Sequence, residues 1–129
     1  MKKMINELKG KILTDVSVND DETELYMTTD SGVVYTFYHD QECCENVWIA
    51  DITGDLTDLI GNPLLVVECI ISDMSIDDLN NDAYNKNNGA YEEGKWTFYK
   101  FATRKGYVDI RWCGMSNGWY SVEVNLRKD

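Results

Sequence analysis

The chain has 129 residues, 43% of them apolar and with four Trp, eight Tyr and three Phe, which suffices for one packed core without metal or disulfide staples and is too apolar for a disordered tail. Its net charge of −11 argues against sequence-independent binding of DNA or RNA, where affinity rests on Lys and Arg, and favours basic partners. No apolar run approaches the roughly 18 residues of a spanning helix, and the first eleven residues lack the apolar stretch and cleavage site of an export signal, so the expectations are no membrane association and a cytoplasmic address.

Met4, Ile5 and Leu8 form the pattern of a short N-terminal helix ending near Gly10. Ile12, Val16 and Val18 then alternate with Asp15 and Ser17 as in a strand, and the polar run 19–22 reads as a hairpin turn. A second strand follows over 24–29, then the turn Asp30-Ser31-Gly32. After it Val33, Tyr35 and Phe37 alternate with Val34, Thr36 and Tyr38, and bulk on both faces places this strand centrally in a sheet. A strand over 47–52 leads into Thr53-Gly54-Asp55, which opens a short helix near 55–60. Asp55 or Thr53 can accept from its first N–H groups, Asp58 suits its dipole, Gly61 can take a left-handed cap, and Pro63 prevents continuation.

Residues 64–71 form a dense apolar strand interrupted by Glu68. The segment 72–93 is polar, crowded with Asn80, Asn81, Asn85, Asn87, Asn88 and Gly89, and is expected to be a mobile surface loop. Beyond it, 95–103, 107–113 and 119–126 read as a three-stranded meander with turns at Arg104-Lys105-Gly106 and Met115-Ser116-Asn117-Gly118. Strict alternation puts Tyr107, Asp109, Arg111 and Cys113 on one face and Val108, Ile110 and Trp112 on the other. The expected class is α+β in one domain over 1–129: mainly antiparallel sheet of about seven or eight strands, a short N-terminal helix and one short helix near 55–60.

Three clusters could carry chemistry. His39-Asp40-Gln41-Glu42-Cys43-Cys44-Glu45 holds the sole histidine. His39, Cys43 and Cys44 suggest zinc if further ligands come from elsewhere, or a thiolate activated by His39. Against this, Glu42 and Glu45 would raise a thiol pKa, and adjacent cysteines in a strand point to opposite faces. Cys43, Cys44, Cys69 and Cys113 are expected to be reduced thiols, and no cofactor is the leading expectation. The acidic cluster comprises Asp51, Asp55, Asp58, Asp73, Asp77 and Asp78, with Asp82 beyond, and it lacks the glycine and terminal glutamate of an EF-hand. The third cluster interleaves the aromatics of the last third, Tyr107 and Trp119 among them, with Lys100, Arg104, Lys105 and Arg111, a composition that can stack bases and hold phosphates. Gly-rich phosphate loops, G-x-S-x-G and H-E-x-x-H are absent.

Charge is unevenly placed: residues 1–93 carry 5 Lys+Arg against 20 Asp+Glu, and residues 94–129 carry 7 against 3. The expectation is a molecule split in space, acidic over most of its surface and mildly basic where the aromatic rings gather.

The segments His39-Asp40-Gln41-Glu42-Cys43-Cys44-Glu45, Asp51-Ile52-Thr53-Gly54-Asp55-Leu56 with Asp58-Leu59-Ile60-Gly61, and Trp96-Thr97-Phe98-Tyr99-Lys100 through Gly106-Tyr107-Val108 and Ile110-Arg111-Trp112 to Ser116-Asn117-Gly118 resemble an uncharacterised family of small acidic bacteriophage and prophage proteins with the signature HDQxCCE and DITGDLxDLIG. The similarity covers roughly residues 5 to 125 and brings no catalytic residue with it. It implies an accessory protein of the kind that blocks host defence by stoichiometric binding.

Three functions follow as expectations. The first is a non-catalytic anti-defence inhibitor that binds a basic, nucleic-acid-handling host bacterial protein, such as a CRISPR effector, through Asp51, Asp55, Asp58, Asp73, Asp77 and Asp78. The second is a sponge for a nucleotide immune signal at Lys100, Arg104, Tyr107, Arg111 and Trp119. The third is a metal-dependent enzyme at His39, Cys43 and Cys44. The oligomeric state is not legible from sequence.

Overall fold

Alternating apolar residues pair as antiparallel strands wherever a turn brings the chain back on itself. The computed structural model describes residues 2–85 and 91–129. The elements are α1 (Lys2–Asn6), β1 (Leu13–Val18), β2 (Leu25–Thr29), β3 (Val34–Tyr38), β4 (Asn46–Thr53), a 3-10 turn (Leu56–Leu59), β5 (Val66–Asp73), one helical turn α2 (Ile76–Leu79), β6 (Glu93–Thr103), β7 (Gly106–Ser116) and β8 (Asn125–Lys128). They form two four-stranded antiparallel sheets, ordered β1-β2-β3-β8 and β4-β7-β6-β5. The expected α+β class with mainly antiparallel sheet and short helices is the observed one.

The two sheets share a core. Leu25, Met27 and Phe37 of the first meet Ile49, Tyr99, Phe101, Ile110 and Trp112 of the second. Phe37 lies edge-on to Tyr99 and Phe101, with centroids 4.9 and 5.9 Å away, contacts worth about 0.5–1.5 kcal/mol each beyond the area they bury. A bulge between Leu13 and Asp15 shifts the β1 register, so Leu13 rather than Ile12 is the buried companion of Val16. β3 lies between β2 and β8, and Tyr35, Thr36 and Phe37 are all buried, as bulk on both its faces predicted. The 3-10 turn is capped by Asp55, whose carboxylate accepts from the Thr57 N–H and hydroxyl at 2.9 and 2.7 Å. Gly61, at φ +88°, ends it as expected.

Three expectations are corrected. First, 72–93 is not simply a mobile loop. β5 runs through Asp73, α2 follows, and Met74, Leu79, Tyr84 and Tyr91 pack over Trp96, Cys113 and Met115 in a second, smaller apolar cluster. These four apolar residues are too sparse to show a period, yet they suffice to cover one tryptophan. Asn87, Asn88 and Gly89 lie outside the described residues. Second, the third strand of the meander does not join the second sheet. After β7 the chain crosses over Gly114, where a Cβ would stand 2.7 Å from the Val122 Cβ, and its last strand, β8, pairs with β3 in the other sheet. Third, Cys43 and Cys44 lie in a bend rather than a strand and are joined as a vicinal disulfide.

Candidate binding site

The connection between β3 and β4 is a clasp. The His39 Nδ1–H donates to the Glu123 carbonyl at 2.6 Å, and Nε2 meets the Glu45 carboxylate at 2.7 Å. A carbonyl only accepts and an ionised carboxylate also accepts, so the arrangement is complete when the ring carries both protons. Glu45 further accepts from the Glu42 and Cys43 N–H groups, both at 2.9 Å. Burial pushes its carboxyl up, but the bonds from His39 and from backbone N–H groups outweigh that and hold it down at about 2. Both side chains are buried. Glu123 precedes β8, so this charged pair ties the start of β4 in one sheet to the chain entering the other.

With both imidazole nitrogens engaged and the two sulfurs joined, the trio His39, Cys43 and Cys44 forms a structural clasp. Among the described residues no group of three or more His, Cys, Asp or Glu side chains is placed to hold a metal ion. Burial pushes the Cys113 thiol up to about 12, far from the thiolate that nucleophilic chemistry needs.

The outer face of the second sheet gathers part of the aromatic and basic cluster. Cross-strand register sets Ile70, Phe98, Arg111 and Asp51 in one row and Glu68, Lys100, Asp109 and Thr53 in the next. They line a hollow of about 550 Å³. Val108, Ile110 and Trp112 fill the core on the opposite face, so the predicted alternation is observed. The Lys100 ammonium lies 5.5 Å from the centroid of the Tyr107 ring. Arg111 is already occupied: its guanidinium contacts Asp51 at 2.6 Å and covers the Trp96 ring at 4.2 Å. Arg104 stands away on the β6–β7 turn, where its Nε donates to Asn62. Trp119, 86% exposed, lines a different hollow. The five residues expected to hold an anionic ligand are thus dispersed, with only Lys100, Tyr107 and Arg111 near one another.

The charge split along the chain is not a split in space. Antiparallel pairing threads the basic strands between acidic ones. Lys95 bonds Asp73, Arg111 bonds Asp51, Lys128 bonds Glu7 and Arg127 lies by Asp129, while Lys100 is in register between Glu68 and Asp109. Such exposed pairs add little stability, but they neutralise the cations locally. The six aspartates divide into groups. Asp55 caps the 3-10 turn and the Asp58 carbonyl accepts from the Thr103 hydroxyl. Asp73, Asp77 and Asp78 lie at the other end of β6, near Lys95, about 26 Å away at the ~3.3 Å rise of a strand. Asp78 accepts from the Trp96 indole N–H at 3.1 Å, and Asp51 sits between the two groups on β4.

Beside Asp73 lies a second hollow, of about 780 Å³, between the end of β5 and the crossing segment after β7. Ile71, Ile76 and Trp119 supply apolar surface, and Asp73, Glu92, Glu93 and Glu123, with Lys95, supply charge. Ile70, Ile71 and Ile76 are 62%, 54% and 71% exposed. These isoleucines and glutamates escaped the reading of the sequence. Their signal was a strand-like apolar run broken by Glu68 and ending in Ser72-Asp73, a pattern that suits an edge as well as a buried strand.

Among the described residues no helix is long and apolar enough to cross a membrane. A family model described as Domain of unknown function (DUF7448) matches residues 6–126. No curated protein and no solved structure matches the chain. Since the family match runs from the end of α1 into β8, the chain belongs to the family that carries this domain of unknown function, DUF7448.

Proposed function

We propose that the protein acts by adhesion: it binds a basic, nucleic-acid-handling protein stoichiometrically, as a phage-type anti-defence inhibitor would bind a host factor such as a CRISPR effector in the bacterial cytoplasm. The supporting observation is the surplus of exposed carboxylates over the cations that pair with them. With Lys95, Arg111 and Lys128 each bonded to a carboxylate, the excess of acid over base is left in the exposed carboxylates, among them Asp77, Glu92 and Glu93. Such a surface attracts a basic partner and speeds encounter. The same neutralisation weakens the nucleotide reading, because a phosphate would compete with Asp51 for Arg111.

Capture from bacterial lysate by the whole chain at low and high ionic strength tests this. The expected result is a basic partner held at low salt and released as screening shortens the reach of surface charge. A lysate yielding no salt-sensitive protein partner overturns it.

A further inference from the structure

The edge of an antiparallel sheet presents a row of backbone donors and acceptors, a template for any extended chain. Three of the four edges are blunted. β1 is sewn to the segment after the 3-10 turn through the Gly61 N–H to the Leu13 carbonyl and a bridge between Ile12 and Pro63. β4 is bulged between Ile49 and Asp51, and the Ile49 N–H donates to the Glu22 carbonyl of the β1–β2 turn. β8 has four residues and carries Arg127 and Lys128.

β5 is different. Its eight residues pair with β6 without a register shift, and every residue from Glu68 to Asp73 is exposed. Met74 donates to the Gly94 carbonyl across the ladder, so even-numbered residues face β6 and the N–H groups of Ile71 and Asp73 point outward. A strand laid along this edge would send its side chains alternately to the two faces of the sheet. Each face has a hollow next to β5: one beside Ile71 and Ile76, lined by Asp73, Glu92, Glu93 and Glu123 with Lys95 paired to Asp73, the other beside Ile70 and Phe98, lined by Asp51, Glu68 and Asp109 with Lys100 and Arg111. Apolar floors whose carboxylates outnumber their cations, four to one in the first hollow and three to two in the second, suit a segment that carries both apolar and basic side chains. A second copy of this chain suits them poorly, since it would set carboxylates against carboxylates.

We infer that the edge of β5 that no other described strand pairs takes up an extended segment of the basic partner by strand addition, its apolar and cationic side chains entering the two hollows, where carboxylates outnumber cations. This rests on the adhesion reading and names the surface and the chemistry of what docks there.

The test uses the whole chain and a fluorescent eight-residue peptide alternating valine and lysine, followed by anisotropy. The unaltered protein should bind it. Methylating the peptide's backbone nitrogens, which removes its donors but not its charge, should weaken binding at least tenfold. Ile71→Pro should do the same, because proline is tolerated where a strand N–H faces solvent; should that variant misfold, the methylated peptide on the unaltered protein decides. Equal binding of methylated and parent peptides overturns strand addition and leaves the acidic adhesion reading standing. Equal binding of a valine–glutamate peptide overturns both. A protein that is dimeric in light scattering, and monomeric as Ile71→Thr, would make a second copy the occupant and overturn the inference. So would failure of the lysine peptide to bind, with lysate capture testing the broader reading separately.

Discussion

Two carboxylate settings share one end of the second sheet. On the β4 side Glu45 is buried, and His39 and two backbone N–H groups satisfy it. Across the sheet on the β5 side, Asp73, Glu92 and Glu93 are exposed beside Ile71 and Ile76. The first arrangement is closed: every bond Glu45 makes is internal, and it fixes how the two sheets meet. The second is open, with carboxylates in excess over the single Lys95 and an apolar floor that none of the described residues covers. Acidity here occurs in two settings, which burial and hydrogen bonding separate and residue counts do not.

The comparison breaks most sharply at Glu45. Replacing it with alanine removes one member of a buried charged pair and strands two N–H groups, so Glu45→Ala should cost about 3 kcal/mol, read as a fall in the urea midpoint with unchanged slope. Glu93→Ala on the open side should stay within about 0.5 kcal/mol in the same assay. If the two substitutions cost the same, the distinction between closed and open carboxylates is wrong.

Gly114 sharpens the contrast next, because the crossing segment forms one wall of the open hollow. Gly114→Ala would push a methyl into Val122 and should cost about 2 kcal/mol, seen as a lowered melting temperature. The titration of the clasp gives a smaller effect with a definite sign. The folded chain holds Glu45 at about 2 against an ordinary 4.5. Its contribution is therefore complete above 4.5 and is lost as pH falls from 4.5 towards 2. The stability gap between the natural chain and Glu45→Gln, measured by urea unfolding at several pH values, should narrow over that interval. Ile71→Thr should leave stability within about 0.5 kcal/mol. Smallest of all, a panel of cyclic and ADP-ribose-type nucleotides should leave the melting temperature unmoved, whereas a ligand at 100 times its Kd would add about 2.7 kcal/mol.

Much of the architecture was legible because period-2 alternation is local. β2, β3, β4 and the β6–β7 hairpin fall where alternation and turn residues put them, and Asp55 and Gly61 mark the ends of the 3-10 turn. What alternation cannot carry is the choice of partner strand. The run now in β8 reads as a third strand of a meander, and only the passage over Gly114 sends it to β3. The same limit hid the site. A sequence of Val, Ile and Cys looks alike at the centre or the edge of a sheet, so the exposure of Ile70 and Ile71 depends on β5 having one neighbour. Charge counted along the chain misled for a related reason, since pairing set Lys95 and Arg111 opposite Asp73 and Asp51. His39 and Glu45 were both noticed, but as candidate chemistry, because nothing in their spacing signals that Glu123 would accept the other imidazole proton.

The pairing of β3 with β8 also bears on the order in which structure can appear during synthesis. Hairpins β1–β2 and β2–β3 involve near neighbours and can form as soon as they leave the ribosome, but Tyr38 must wait for Asn125. Until then the nascent chain carries an open strand at β3, and closing so large a loop slows the final step. Refolding should accordingly be limited by the arrival of that last strand.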